Sequence, residues 1–455
     1  MAKKTRNGSI WTFADRFEGD KVVWIIVLML ILLSIVCMFS SSSRLLKNDL
    51  TRIDIMREQL RTVVMGLGLI VVCYNIKNMN FFRFFSLLGF PVSFLLLLLL
   101  DMHINTPVIK AINLNNAYRI LKIGGIQLHV FEIVKVAMVM YLSRMMDALK
   151  NNEFKFIENP MLKKIVLLYA PFLITMVMII PGSNSSALFI GGIMFLLLLL
   201  GGGNLKDMSV LFLAGVILIS SCYGLYKVSD GKIMGRIGTG ISRVFEDEDN
   251  EKIFLESRKG SKEYQNALDA IRQPYSAKIA IHEGGPIGKG PGQSTQRYVV
   301  PDMSEDYMFS FVIEEYGLLG ALLVIFLYVS LLARASIIVR NCKQDHFARL
   351  AVSGLSLLIT GQAFLHMLVN VDLGPMTGQT LPLISHGNSA FLCFSIAFGI
   401  ILSFSRMATR KIEQQTKEAA PLMEMHENIR AGLDELDAFD SMDGQNGLND
   451  ENYGI

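Results

Sequence analysis

Residues 301 to 316 read PDMSEDYMFSFVIEEY and set Asp302, Glu305, Asp306, Glu314 and Glu315 at the edge of a hydrophobic run. Carboxylates are costly to desolvate beside hydrocarbon, so their presence points to a site facing water or a cavity. A solvated helix entrance is the plain alternative. Just upstream stands EGGPIGKGPGQSTQR, where Gly284, Gly285, Gly288, Gly290 and Gly292 surround Lys289 and precede Arg297. Glycine backbone lets amides approach an anionic ligand closely, although a flexible turn would use the same residues. No Gly-Lys-Ser/Thr opens a helix here, which argues against a soluble nucleotide site.

The elements that must position these groups lie in a bilayer. The chain has 455 residues, 52% of them hydrophobic and 18% charged, and a mean hydropathy of +0.42, which excludes an ordinary soluble domain. Apolar runs near 22–39, 62–76, 84–100, 128–146, 165–181, 187–203, 208–226, 307–333, 348–370 and 389–405 have the roughly 17 to 25 residues that cross a bilayer as helix. They predict an all-α polytopic membrane protein of about ten transmembrane helices. Lysine and arginine concentrate in alternate connections, among them Lys77 and Arg83, Arg144 to Lys164, Arg334 to Lys343, and Arg406 to Lys411. The positive-inside rule then places both termini in the cytoplasm. The connection at 40–61 resists this, since it carries Arg44, Lys47, Arg52, Arg57 and Arg61.

Three segments are expected: a cytoplasmic stretch at 1–21, a transmembrane domain at 22–406, and an acidic cytoplasmic tail at 407–455 whose composition predicts disorder. The first run is longer than a signal-peptide core and should remain as an anchor. Cys37, Cys73, Cys222, Cys342 and Cys393 lie in or beside apolar runs without metal-ligand spacing and read as packing residues. The connection from about 227 to 306, between the seventh and eighth runs, is far longer than usual and falls on the extracytoplasmic side. Within it Ile237, Ile241, Val244 and Phe245 could form an amphipathic stretch along the membrane surface.

The order GGPIGKGPGQSTQR, SEDYMFSFVIEEYG and NVDLGPMTGQTLPLISHGNS resembles the SEDS (shape, elongation, division and sporulation) family of peptidoglycan glycosyltransferases over residues 20 to 411, with GKGPGQSTQR most similar to its division branch. Ten spans with a large loop between the seventh and eighth are also what this resemblance implies. So is the activity: polymerisation of lipid II into glycan strands during septal wall synthesis, with release of undecaprenyl diphosphate, in the bacterial inner membrane at the division septum. The implied partners are a class B penicillin-binding protein transpeptidase and other division proteins. No nucleic acid is expected.

The resemblance maps the catalytic acid onto Asp306. Transfer to a sugar hydroxyl needs a base for its proton and cationic or metal help for the departing diphosphate. Asp306 beside a basic glycine loop offers both, as the base or as a ligand to a divalent ion such as Mg or Mn, with Lys289 and Arg297 as candidate diphosphate contacts. Glu132 and Lys135 match a family Glu-x-x-Lys and share a helical face, so they read as substrate contacts or as an internal ion pair. Arg119 and Ser385 are further substrate candidates, and Glu314 falls on the face nearer Asp306. The chain departs from the family pattern at Ile120, at His129 to Phe131, and at His386 and Asn388. Two other classes are open: a translocase for lipid-linked precursors, and a non-catalytic scaffold of the division machinery.

Overall fold

The computed structural model describes residues 18–41, 52–114, 117–155, 157–229, 247–300, 303–374 and 376–446. Each of the ten apolar runs falls largely on a helix: α1 Lys21–Ser41, α2 Arg52–Asn75, α3 Met79–Asp101, α4 Val130–Lys150, α5 Pro160–Ile179, α6 Asn184–Leu200, α7 Leu205–Val228, then α10 Met308–Asn341, α11 His346–Asn370 and α12 Asn388–Asn446. Between α7 and α10 lie α8 Asp247–Glu256 and α9 Lys262–Gly284. Among the described residues seven helices are long and apolar enough to cross a bilayer, namely α1, α3, α5, α7, α10, α11 and α12. α6 is apolar but shorter, while α2 and α4 are of crossing length, 24 and 21 residues, and carry charged side chains.

Side-chain caps fix where these helices begin. Asp20 Oδ1 accepts from the N–H groups of Val22 (2.9 Å) and Val23 (3.3 Å), satisfying donors that have no partner within the first turn of α1. Asp20 also accepts from Arg334 Nε at 2.8 Å, which ties the start of α1 to α10. Asp345 caps α11 through Ala348 N (3.0 Å) and accepts from Arg83 of α3 (3.0 Å). α4 and α11 are largely buried. α7 instead turns many apolar side chains outward, as a helix bathed in lipid does.

The sequence reading leaves residues 101–128 as a plain connection, but they hold a three-stranded antiparallel sheet: β1 Ile109–Leu114, β2 Ala117–Ile123 and β3 Ile126–His129. Gly124 and Gly125, with φ of 57° and 94°, supply the two positive-φ positions of a tight hairpin that pairs Ile123 with Ile126. β3 runs straight into α4, so the sheet fixes where α4 begins.

Composition predicts a tail without regular structure, whereas α12 continues through the acidic segment to Asn446. Its Glu, Gln, Lys, Ala and Met residues are strong helix formers, and this outweighs the low hydrophobicity. Residues 20–405 form one compact unit, and the terminal segments on either side form another. Asp302 and the stretch from Ile237 to Phe245 lie outside the described residues.

Candidate active site

Asp306 lies in the turn that leads into α10 and is half-buried. That turn is held from two sides. α11 presents Asn370, whose Nδ2 donates to the backbone carbonyl of Asp306 (2.9 Å) and whose Oδ1 accepts from Ser310 N (2.9 Å). One turn earlier His366 Nε2 accepts from Phe309 N (3.3 Å), while its Nδ1 lies 2.7 Å from the carbonyl of Gln379. The carbonyl must accept, so the imidazole carries its proton on Nδ1. The first N–H groups of α10 are thus capped by another helix.

From the other side, Ser385 Oγ donates to Glu305 O (2.8 Å), His386 N donates to Ser304 O (2.8 Å), and His386 Nδ1 lies 3.3 Å from Glu305 Oε1. Ser385 is therefore a tether of this turn. Gly378 (φ 63°) lies beside the Asp306 carboxylate, where a Cβ would come within 3.7 Å of Asp306 Oδ2.

Glu132 and Lys135 form the internal web that holds the Gly378 loop. Lys135 is fully buried, and its Nζ donates to Glu132 Oε1 (2.6 Å), Gln362 Oε1 (2.7 Å) and Gln379 Oε1 (2.8 Å). Three acceptors satisfy all three ammonium hydrogens. Gln379 Nε2 passes the connection on to Ser186 at the start of α6 (3.0 Å), and Gln362 Nε2 to Thr380 O (2.9 Å). Among the described residues the second oxygen of Glu132, Oε2, has no hydrogen-bond partner. Of the pair, Lys135 is structural and Glu132 retains an acceptor. Arg119 lies on β2 and donates from Nε to Gly182 O (3.1 Å), joining the sheet to the turn before α6.

The glycine-rich loop, whose composition suggests an anion cradle, packs against a break in α10. α10 breaks at Gly317 (φ 67°, ψ −167°), and the loop docks into that break backbone to backbone. Lys289 N donates to Glu314 O (2.9 Å), Gly290 N to Glu315 O (2.9 Å), and Leu318 N to Gly285 O (3.0 Å). A Cβ on Gly284 would sit 2.1 Å from Ile313 O, one on Gly288 2.3 Å from Glu315 O, and one on Gly317 2.5 Å from Gly288 N. Glycine is required at these three positions because backbone meets backbone.

The charges of the loop are used in the same docking. Glu314 is fully buried, and its carboxylate accepts from Lys289 Nζ (2.8 Å), Ser294 Oγ (2.5 Å), Thr295 N (2.8 Å), Thr295 Oγ1 (3.1 Å) and Gln296 N (3.2 Å). Lys289 also donates to Glu283 and to Thr295 Oγ1 (2.8 Å). That hydrogen bond from Lys289 holds the Glu283 carboxyl below its ordinary pKa. Arg297 is buried and donates from Nη1 to Ser40 O (2.8 Å), at the end of α1, and from Nη2 to Tyr298 OH (3.0 Å). Glu315 accepts from Ser40 Oγ (2.5 Å) and Gly292 N (3.1 Å). In the structure Lys289, Arg297 and Glu314, the candidate substrate contacts of the sequence, hold the loop to α1 and α10.

Residues missed in the sequence are Gln362, Gln379, Ser40 and Ser294. Gln362, His366 and Asn370 recur every four residues inside the apolar run of α11, a polar stripe along one helix face that the sequence already displays. Among the described residues no group of three or more His, Cys, Asp or Glu side chains is placed to hold a metal ion. Asp306 can give a single carboxylate, the partial ligand set that Mg²⁺ accepts when water and substrate phosphates complete it.

A polytopic helical bundle with a small sheet at one end, a broken helix clasped by a glycine loop, and a carboxylate held at a helix entrance define a membrane-embedded class. Residues 20–410 match the family model for FtsW, RodA and SpoVE, described as cell cycle protein, and the chain belongs to that family. It is 27% identical to the probable peptidoglycan glycosyltransferase FtsW of Enterococcus hirae, over 89% of this chain and 97% of that one. It is 25% identical to the peptidoglycan glycosyltransferase MrdB of Escherichia coli K12, over 88% and 96%. Among solved structures the fold is similar to a chain from a peptidoglycan synthase complex that coordinates polymerization and crosslinking (TM-score 0.61, 18% identity, 86% of this chain and 98% of that one). It is also similar to the rod shape determining protein RodA of Thermus thermophilus (TM-score 0.54, 18% identity, 85% and 97%).

Proposed function

We propose that the chain is a peptidoglycan glycosyltransferase that joins lipid II units into glycan strands and releases undecaprenyl diphosphate. The observation that carries this is Asp306: its backbone is fixed by Asn370, its turn is fixed by Ser385 and His386, and its half-buried carboxylate lies beside Gly378. A carboxylate placed this way can accept the proton of an incoming sugar hydroxyl. A divalent ion held by Asp306 and the donor's own phosphate oxygens would neutralise charge on the leaving diphosphate. Because Lys289 and Arg297 are engaged within the loop, the docked loop's role is to set α10, and with it Asp306, against α1. The names of the relatives support this chemistry.

A class B transpeptidase partner is supported by the crosslinking complex among the similar structures. Division machinery is the proposed setting, because the FtsW relatives are prominent. Purified chain given lipid II should form glycan polymer, and more of it with its cognate transpeptidase. Movement of lipid II across a bilayer without any polymer would instead establish a translocase.

Orientation follows from the charge distribution: the Asp306 end faces outside and the tail inside. Gln293 and Arg430 are exposed and the native cysteines are mostly buried. An impermeant thiol reagent on intact cells should label Gln293→Cys and spare Arg430→Cys. The reverse pattern would invert the topology.

A further inference from the structure

At the end of the bundle remote from Asp306 a cavity of about 270 Å³ opens between α4, α5, the α6–α7 turn and the start of α11. The 24-residue path along α11 from Asn370, which holds Asp306, to His346, which lines this cavity, corresponds to about 36 Å of helix. The site described above therefore does not account for it.

The polar lining is basic. Lys150, Lys164, Tyr169 and His346 face it. Lys164 donates to Asp207 (2.7 Å), which also accepts from Tyr169 OH (3.4 Å), so that cation is shared. Lys150 is exposed and makes no hydrogen bond or ion pair with any described residue. His346 lines the cavity, but its Nδ1 is buried from solvent and has no hydrogen-bond partner among the described residues. The unshared ammonium of Lys150 at the edge of this cavity suits a phosphate oxygen.

The remaining lining is apolar, including Leu149, Leu168 and Leu198. Leu168 and Tyr169 come from a π-helical turn, Ile165–Tyr169, within α5. Pro171 just beyond it removes a backbone donor, and the widened turn absorbs the resulting mismatch. Immediately outside, Met161, Leu162, Ile165 and Val166 are exposed apolar residues on α5, a surface fitted to hydrocarbon. A soluble anion would leave this apolar half of the cavity unused.

We infer that this cavity binds the headgroup of an anionic phospholipid, with the phosphate at Lys150 and the acyl chains passing out along α5. Basic pockets between transmembrane helices recognise lipids of this class through the same combination of charge and apolar contact. The site is separate from the reacting centre and does not depend on the activity proposed for it.

The test uses the full-length chain in detergent, with native mass spectrometry and thermal unfolding as readouts and phosphatidylglycerol, phosphatidylcholine and inorganic phosphate as probes. Phosphatidylglycerol should be retained in preference to phosphatidylcholine and should raise the unfolding temperature more. Lys150→Gln removes a cation that no described residue needs for folding, and should weaken phosphatidylglycerol retention by about fivefold. Lys150→Arg should preserve it. Equal retention of the two lipids, or retention unaffected by Lys150→Gln, would overturn the assignment. Stabilisation by inorganic phosphate equal to that by phosphatidylglycerol would replace the lipid with a soluble anion and overturn it as well.

Discussion

Asp306→Asn is expected to abolish glycan polymerisation while leaving expression, thermal stability and transpeptidase binding at wild-type levels. Asparagine keeps the size of aspartate and much of its hydrogen bonding, but it cannot take a proton from the acceptor hydroxyl or balance the charge of a metal ion. Base assistance of this kind contributes about 10²- to 10⁴-fold, so the loss should exceed what a misplaced contact would cause. Stability should hold because the turn is fixed through backbone atoms, the carbonyls of Asp306 and Glu305, which the substitution leaves in place. The neighbouring acid gives no rescue: Glu305 directs Oε1 toward His386.

Glu314→Ala should have the largest effect on stability. One buried carboxylate receives five hydrogen bonds from Lys289, Ser294, Thr295 and Gln296. Deleting it leaves Ser294 Oγ and the N–H groups of Thr295 and Gln296 without their acceptor, while Lys289 keeps Glu283 as its counter-charge. Each buried donor left unsatisfied costs about 1–3 kcal/mol. The loss should concentrate in the loop at 284–297, seen as faster hydrogen exchange and earlier proteolysis there, together with a lower unfolding temperature. A variant with unchanged exchange in that loop would mean that Glu314 has another task, such as the substrate contact that the sequence suggested.

The two variants mark where the sequence could be read and where it could not. Helix positions were legible because long apolar runs mark them, and each run falls largely on a helix between α1 and α12, although among the described residues seven of these helices are long and apolar enough to cross a bilayer. The acid before α10 was legible because a carboxylate at the entrance to an apolar helix demands an explanation. The sheet at 109–129 was not, since its strands are short and its hairpin rests on Gly124 and Gly125 alone.

The glycine loop shows a different limit. Its residue types admit an anion cradle as readily as a docking loop. What decides is Gly317, which breaks α10 and receives it, and Ser40, which lies 257 residues before Arg297. Lys135 is similar: a helical Glu-x-x-Lys predicts an ion pair, but Gln362 and Gln379 reach it only through the fold. Side chains committed to distant partners cannot be told from free ones by spacing alone.

The most direct measurement is the rate of glycan formation from purified lipid II by the chain in complex with its transpeptidase, wild type beside Asp306→Asn at matched folded concentration. The predicted result is polymer from the wild type and none from the variant, with lipid II bound by both. Polymer from Asp306→Asn at near the wild-type rate would contradict the role given to this carboxylate.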